Sequence, residues 1–568
     1  MPRGTPQTLR PFRWRAERMY PDTEIVSRTA DGIERYEYSE YGDRVARLAN
    51  ALDDAGIGEE GRVGTFCWNH HRHFETYFGV PDSGRQLHTI NPLLPDEHIQ
   101  YIVENATDEL LFVDPSLAEK LADAYDADSF GSVEQFVVMA DSVPEIDLDP
   151  VTDYESFIAE QGSEYDWPAI GEDREAGMCY TSGTTGRPKG VEYTQRMLWS
   201  HTMATVTPQG LGIEDSDVVM PVVPMFHVNA WGMPFSTTAA GAKHVYPGPS
   251  PDPADLAELI EAEGVTITAG VPTVWLGLLE YVEENDADLS SLEEVVIGGS
   301  AAPEAVIRQF DDLGVDVLHA WGMTEMSPIG SVARLKPGME DWDADDRYAK
   351  RGKQGLMVPG IEFKVIDEDG DEVPWDGEEF GELWVRGPWV TTEYFERPEA
   401  NEEDFEDVPA SEASGESGEA LSPGRWLKTG DVVSVDEDGY IQIVDRAKDV
   451  IKSGGEWISS VELENALMAH DDVAEATVVG VPHERWQERP VAFVVPGGDV
   501  DRDALADELL GTIAEDYPKW WVPDDVEYID EVPKTATGKF SKKDLREEYA
   551  DASLVEGETP AEAAPEDE

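Results

Sequence analysis

Tyr180-Thr-Ser-Gly-Thr-Thr-Gly-Arg-Pro-Lys-Gly190 is the stretch from which the rest of this chain is read. Its glycines at 183, 186 and 190 open backbone angles closed to other residues and let the main chain approach a ligand. The hydroxyls of Thr181, Ser182, Thr184 and Thr185, with the N–H groups of such a loop, can donate to phosphate oxygens. Lys189 adds a positive charge on a flexible stem. The chemistry implied is the cradling of a polyphosphate. A flexible linker has the same composition. An ordinary P-loop is excluded, because it sets Lys-Ser/Thr directly after its second glycine; here Arg187-Pro188 intervene and Gly190 follows the lysine.

The chain has 568 residues, too many for one core, so two or more domains are expected. Its 42 basic residues face 120 acidic ones, a net charge of −78. That balance disfavours nucleic acid and anionic membranes as partners. A disordered polyanion would not carry 16 Trp, 17 Phe and 19 Tyr. Acid spread over a patterned globular sequence suits a halophile, whose molar salt screens the repulsion. Cys67 and Cys179 have no paired spacing, which excludes a disulfide framework and a zinc site. No apolar segment follows the N-terminal arginines as in a secretory signal, and no run nears the ~20 residues of a membrane span. A soluble, cytoplasmic protein is expected. Residues 1–19 are basic: an arm docked on acidic surface of this subunit or a second one, or a disordered start.

From Tyr38 to Leu52 the apolar spacing is helical, and Arg62 to Cys67 reads as a strand. His70 and His73 lie one turn apart, but no carboxylate or thiol completes a metal spacing, so a structural role is expected. The run from Asp217 to Gly232 is a buried parallel-type strand followed by a turn. Ligand sites lie just past such strand ends, which aims His227 and Trp231 at a crevice. Gly264 to Pro272 repeats strand and turn, with a helix near Val274 to Tyr281. Val295 to Pro303 does so again; Pro303 suits a first helical turn. Val306, Ile307, Phe310 and Leu313 form one helical face capped by Gly314, and Val315 to His319 is the next strand. This alternation predicts a layered α/β fold.

In Ala320-Trp-Gly-Met-Thr-Glu-Met-Ser-Pro328, Thr324 can donate to phosphate and Glu325 can bind its cation. Residues 359–387 alternate around an Asp-rich turn, as antiparallel strands do. Residues 402–424 read as an acidic, mobile surface insertion. Asp431, after a Gly turn, suits a ribose diol. Between 440 and 458 a strand runs into a charged joint and a glycine loop. Beyond it, Ser459 to Ala469 reads as helix, and Ala474 to Val481 and Pro490 to Val495 as strands. A basic cluster follows at 533–545, and 551–568 is an acidic tail expected to be disordered.

These segments resemble, in order and spacing, the motifs of the adenylate-forming superfamily of acyl-CoA synthetases, luciferases and peptide-synthetase adenylation domains. The resemblance runs over about residues 20–548. Pro224 to Gly232 is most similar to the acyl-pocket segment of medium- and long-chain fatty acyl-CoA synthetases. The resemblance implies a large N-terminal domain (1–445) of layered parallel α/β sheets plus a distorted β-barrel. A small mobile α+β lid (446–550) and the tail (551–568) would follow. It also places a turn at 79–98.

By the same resemblance Thr181, Ser182, Gly183, Thr184, Thr185, Gly186 and Lys189 hold the phosphates of ATP, with Mg²⁺ on Thr184 and Glu325. Gly299, Ser300 and Ala301, with His319, Ala320, Trp321 and Gly322, frame the adenine. His227, Val228, Trp231 and Gly298 line the acyl pocket, Trp231 as its gate, and His227 joins Thr324 and Glu325 in the chemistry. Asp431 and Arg446 hold the ribose and phosphates, and Lys448 is the hinge of the lid. Lys452, Gly454, Gly455 and Trp457 line the path of coenzyme A, and Lys539 is the catalytic lysine. Gln195 departs from the histidine of many relatives, with no chemical role expected. The activity implied is fatty acid activation to acyl-AMP and transfer to coenzyme A, in a possible homodimer. Activation of an aryl or short-chain acid, carrier loading, luciferase-like oxidation and a non-catalytic binder are the rivals.

Overall fold

The computed structural model describes residues 4–30, 32–181, 187–285, 287–408, 424–453, 456–470, 472–483, 485–498, 500–533, 542, 545 and 546. The chain divides into two compact units, Met1–Phe363 with Val385–Leu427, and Lys364–Trp384 with Lys428–Glu568.

Two sheets dominate the first unit. The nine-stranded sheet has a parallel interior of Asp316–Gly322, Glu294–Ile297, Ile267–Gly270, Val218–Pro221, Lys243–Tyr246 and Glu24–Thr29, in that order, with antiparallel strands at its edges. Helices Pro253–Glu263, Pro272–Asn285 and Glu304–Asp312 bring Leu256, Ile260, Trp275, Ile307 and Phe310 into one core with Val295, Ile297 and Val317. Burial of this kind stabilises by about 25 cal/mol per Å² of apolar surface. Val306, Ile307 and Phe310 form the expected buried face, but Leu313, expected with them, is 46% exposed at the C-cap, where the helix has ended; Gly314 follows with a left-handed φ of 82°. Pro303 sits one position before the helix, at its N-cap.

Strand order reverses at Val218–Pro221: the strand after it in sequence lies on one side, and the next one on the other. The loop carrying His227 and Trp231 leaves the sheet at this switch point, where open α/β sheets hold ligands.

The seven-stranded sheet runs Val151–Asp153, Gln135–Val138, Leu110–Val113, Arg62–Phe66, Gln86–Thr89, Glu175–Tyr180, Gly190–Thr194, parallel except for the last pair. Gln86–Thr89 corrects the expected turn at 79–98: it is an interior strand, wholly buried. Gln86 and His88 disguise it, but each finds a polar partner inside. Gln86 donates to the carbonyl of Gly177, and His88 meets Asp108 at 2.8 Å.

Of the two readings of the basic N-terminus, docking within the chain holds for helix Arg10–Met19. Arg13 is 4% exposed, donates to Asp82 at 2.7 Å and stacks on Trp167. Gln195, given no role from the sequence, is fully buried. It accepts from Leu9 N and donates to the carbonyl of Pro81, joining three segments. His73 is bonded to the Trp68 carbonyl and Thr65, and burial lowers its imidazole to about 3, which suits a structural residue. Cys67 and Cys179 are free and buried.

Where a barrel is expected, Glu362–Ile366, Phe380–Arg386, Phe405–Asp407, Arg425–Val435 and Ile441–Arg446 are strands. Arg425–Leu427 pair with Phe405–Asp407, and Asp431–Val435 with Ile441–Arg446. Residues 402–407 therefore do not belong to a mobile insertion: they complete helix Pro398–Glu403 and the strand Phe405–Asp407, anchored by Phe405 at 2% exposure. Residues 409–423 and 551–568 lie outside the described residues.

In the second unit, strands Glu456–Ile458, Ile451–Ser453, Gln487–Pro496 and Val473–His483 form a sheet, with Asp525–Tyr528 added beside Gln487–Pro496. Helices Ser460–Met468 and Arg502–Asp516 pack Leu463, Leu467, Leu505 and Leu509 on it. This is the expected α+β arrangement, with Arg502–Asp516 and Asp525–Tyr528 as elements unforeseen in the sequence.

Candidate active site

The two ends of the stretch at 180–190 belong to a hairpin. Glu175–Tyr180 and Gly190–Thr194 pair antiparallel with Tyr180 opposite Gly190. Thr181 N donates to the Lys189 carbonyl, and Lys189 N returns a bond to Thr181 Oγ1, closing the neck. Ser182, Gly183, Thr184, Thr185 and Gly186 lie outside the described residues. Phe395 N donates to the Gly190 carbonyl and ties a distant segment to the neck.

That segment links the loop lysine to the Thr-Glu motif. Lys189 Nζ pairs with Asp404 at 2.5 Å and lies 4.5 Å from the centre of the Tyr394 ring. The Tyr394 hydroxyl donates to Glu325 Oε1 at 2.8 Å. Burial first, and then Glu325 and Asp404, push this phenol far up, so it remains a donor. Asn401 holds both backbone groups of Tyr394. Glu325 is 6% exposed, in the turn Thr324–Met326; its carbonyl accepts from Thr391 N, and Tyr193 donates to the Thr324 carbonyl at 2.8 Å. Gly322 admits no side chain, since a Cβ there would sit 2.1 Å from the Pro328 carbonyl oxygen. The turn is thus built from both sides, with the Thr324 side chain partly exposed beside a nearly buried carboxylate.

The residues expected to frame an adenine and those expected to line an acyl pocket lie at neighbouring strand ends. Gly298 to Ala301 follow Glu294–Ile297, and His319 to Gly322 close Asp316–Gly322, its parallel neighbour. His319 is buried, bonds the Gly352 carbonyl at 3.0 Å and is lowered by burial to about 4, so it is neutral at pH 7. Val228, Asn229, Ala230 and Trp231 have φ of 40°, 58°, 47° and 55°, a left-handed run that ends at Gly232. This turn lays the Trp231 ring on Gly298, where a Cβ would lie 3.0 Å from it and 3.0 Å from the Ala320 carbonyl oxygen. His227 is half-buried at the start of the turn. Beneath it His201, lowered by burial to about 3, accepts from Ile329 N.

In the second unit Asp431 and Arg446 are direct cross-strand partners, joined at 2.7 Å, with Asp431 2% exposed. Lys448 is exposed on the turn in which Asp449 N and Val450 N donate to the Arg446 carbonyl. Lys452 pairs with Glu368 and lines a cavity of about 470 Å³ with Lys364, Trp384 and Ala447. Its backbone faces that of Trp457 across a hairpin; Gly454 and Gly455, between them, and Lys539 lie outside the described residues.

Tyr193, Tyr394, Asp404 and His201, which contact or support the predicted residues, were not singled out from the sequence. Tyr193 stood beside the quoted loop; the others carry no local pattern.

Residues 12–395 match the family model of the AMP-binding enzyme, and residues 462–539 that of the AMP-binding enzyme C-terminal domain. The chain is 43% identical to a long-chain-fatty-acid–CoA ligase of Thermus thermophilus, over 95% of each chain. It is 40% identical to a medium-chain-fatty-acid–CoA ligase of Ectopseudomonas oleovorans, again over 95% of each. To a 3-methylmercaptopropionyl-CoA ligase of Ruegeria lacuscaerulensis it is 41% identical, over 94% of this chain and 96% of the other. With a family match over both parts of the chain and relatives aligned along nearly all of it, this protein belongs to the AMP-binding enzyme family.

Proposed function

We propose that the protein is an AMP-forming acyl-CoA ligase that converts a medium- or long-chain carboxylic acid to acyl-AMP with ATP and then to the thioester with coenzyme A. The observation that carries this reading is the network from the loop lysine through Tyr394 to Glu325, next to Thr324 in the chain. It sets a cation, hydroxyls and a carboxylate at the lip of a polyphosphate loop.

A fatty carboxylate is already ionised at neutral pH. Its attack on the α-phosphorus therefore needs positioning and charge neutralisation more than a base. Lys189 exchanges Asp404 for a phosphate oxygen, with Thr184 and Thr185 donating beside it. Glu325 fits a magnesium ion that arrives with the nucleotide: one carboxylate, oriented by a tyrosine, beside a hydroxyl suits a cation that keeps waters and phosphate oxygens as its other ligands. The metal would neutralise charge on the departing pyrophosphate. Lys539 holds the carboxylate and α-phosphate together. Asp431 and Arg446 take the ribose, His319 and its neighbours the adenine. His227, Val228, Trp231 and Gly298 face the acyl chain. For the second half-reaction the lid, 446–550, turns about Lys448, and the loop of Lys452, Gly454, Gly455 and Trp457 guides coenzyme A.

The acidic composition supports a halophilic setting; a cytoplasmic location and a homodimer are proposed with it. Among the described residues no helix is long and apolar enough to cross a membrane. The relative that acts on 3-methylmercaptopropionate supports a second reading, a short-chain acid as substrate.

The test is acid-dependent ATP–pyrophosphate exchange in molar KCl with acids from acetate to palmitate, 3-methylmercaptopropionate and benzoate, then thioester detection with coenzyme A. Exchange and thioester peaking at medium or long chains support the first reading, and a peak at short acids the second. Exchange without thioester, or no exchange in folded protein, removes both.

A further inference from the structure

In a chain with 120 acidic residues and 42 basic ones, a guanidinium readily finds a carboxylate. In the first unit Arg28 pairs with Asp255, Arg44 with Glu75, Arg72 with Asp141, Arg196 with Asp173 and Arg308 with Glu304. Arg187 and Arg397 differ: among the described residues neither has an ion-pair partner. Both lie over one ring instead, that of Tyr101, with the Arg187 guanidinium 4.9 Å and the Arg397 guanidinium 5.3 Å from its centre. Arg187 is exposed. Arg397 is half-buried and donates to the Pro188 carbonyl at 3.2 Å, while its Nε is buried with no hydrogen-bond partner among the described residues. The ring itself is anchored. Tyr101 and Asn105 lie one turn apart on helix Asp96–Ala106, and Asn105 Oδ1 accepts from the hydroxyls of Tyr101 at 3.4 Å and Tyr180 at 2.8 Å.

This pair adjoins the corner of Lys189, Tyr394 and Glu325. Arg187 precedes Lys189 by two residues, so their Cα atoms are at most about 7 Å apart. Arg397 follows by two residues Phe395, whose N–H binds the Gly190 carbonyl. The negative face of one ring attracts each guanidinium, but it does not relieve the repulsion between the two. An anion bound by both does. The planar fork of a guanidinium presents paired N–H donors that match phosphate oxygens. We propose that Arg187 and Arg397, carried on Tyr101, bind the terminal phosphate of a polyphosphate. The γ-phosphate of ATP and the end of released pyrophosphate offer the same group. The proposal rests on the reading of the chain as an ATP-dependent ligase whose phosphates meet Lys189.

The experiment measures equilibrium binding of ATP, pyrophosphate and AMP, each with Mg²⁺ in molar KCl. It compares the full-length wild type with Arg187→Gln, Arg397→Gln and Arg397→Lys. Each glutamine variant should weaken polyphosphate binding by about 10-fold, the value of a hydrogen bond to a charged group, and leave AMP, which lacks the terminal phosphates, unchanged. Arg397→Lys keeps the charge but not the fork, and should recover only part of the loss. A loss shared by ATP and pyrophosphate, or confined to ATP, supports the proposal with the γ-phosphate as ligand. A loss confined to pyrophosphate supports it with the released product as ligand. An equal loss for all three ligands shows that the arginines act through the fold, and overturns the proposal. So does full polyphosphate binding in Arg187→Gln. That variant decides the matter even if Arg397→Gln does not fold, because Arg187 is exposed and has no hydrogen bond to lose among the described residues. Folded wild type that binds none of the three removes the reading of an ATP-dependent ligase, and the proposal with it.

Discussion

The first unit assembles the corner of Lys189, Glu325, Tyr394 and Asp404 from distant parts of its chain, whereas the second makes Asp431 and Arg446 meet by register alone. In the second case a hairpin guarantees the encounter, since residues opposite each other on paired strands are neighbours whatever else the chain does. In the first, no local geometry does so, and the meeting depends on the whole layered fold. A site of the first kind should transmit damage from one member to the others; a site of the second kind should lose one contact at a time.

The largest effect expected is that of Glu325→Gln. It keeps an acceptor for Tyr394 but removes the charge, and should cost about 10²–10³-fold in exchange rate. Excess Mg²⁺ should recover part of it; a loss below 10-fold would break the picture of a shared corner. Next is Asp431→Asn, which should raise KM for ATP by about 10–100-fold, the value of hydrogen bonds to a charged group. The acid KM should stay unchanged, and a fall in kcat alone would show that the pair is not an isolated contact. Tyr394→Phe keeps the ring over Lys189 and deletes one bond to Glu325. About a 10-fold loss of kcat is expected, non-additive with Glu325→Gln in a double-mutant cycle. The smallest effect sharpens the contrast in stability. His201, buried in the first unit, is depressed to about 3, whereas His470 and His483, in the second, are half-buried. A depressed imidazole contributes stability above its unfolded value of about 6.5 and loses it as pH falls toward 3. His201→Gln should therefore flatten the stability of the first unit between pH 6.5 and 5 by about 1.4 kcal/mol per pH unit, as read by urea unfolding in salt. An unchanged slope would place a protonated imidazole in the fold.

Much of this was legible in the sequence because the decisive segments are contiguous. The loop at 180–190, the turn at 320–328 and the strand ends at 298–301 and 319–322 are each one stretch of chain, and parallel pairing brings the last two together. Tyr394 and Asp404 were not legible. Asp404 falls in the stretch read as an acidic insertion and Tyr394 carries no motif; the pairing of Phe405–Asp407 with Arg425–Leu427, the bonds of Asn401 to Tyr394 and the bond from Phe395 N to Gly190 fix them. The strand Gln86–Thr89 was missed for the converse reason: its polar side chains are buried with partners, a pattern that composition assigns to surface.

The left-handed run at Val228 to Trp231 bears on how this protein could be engineered. Each non-glycine residue held there costs roughly 1–2 kcal/mol, so the four together forgo an amount comparable to the stability margin of a whole domain. A designer seeking heat resistance would begin with glycine at Asn229 or Ala230, where the backbone would be content. The chain has kept β-carbons instead, and with them a stiff pedestal beneath Trp231. Durability and the placing of one indole ring are here in direct competition.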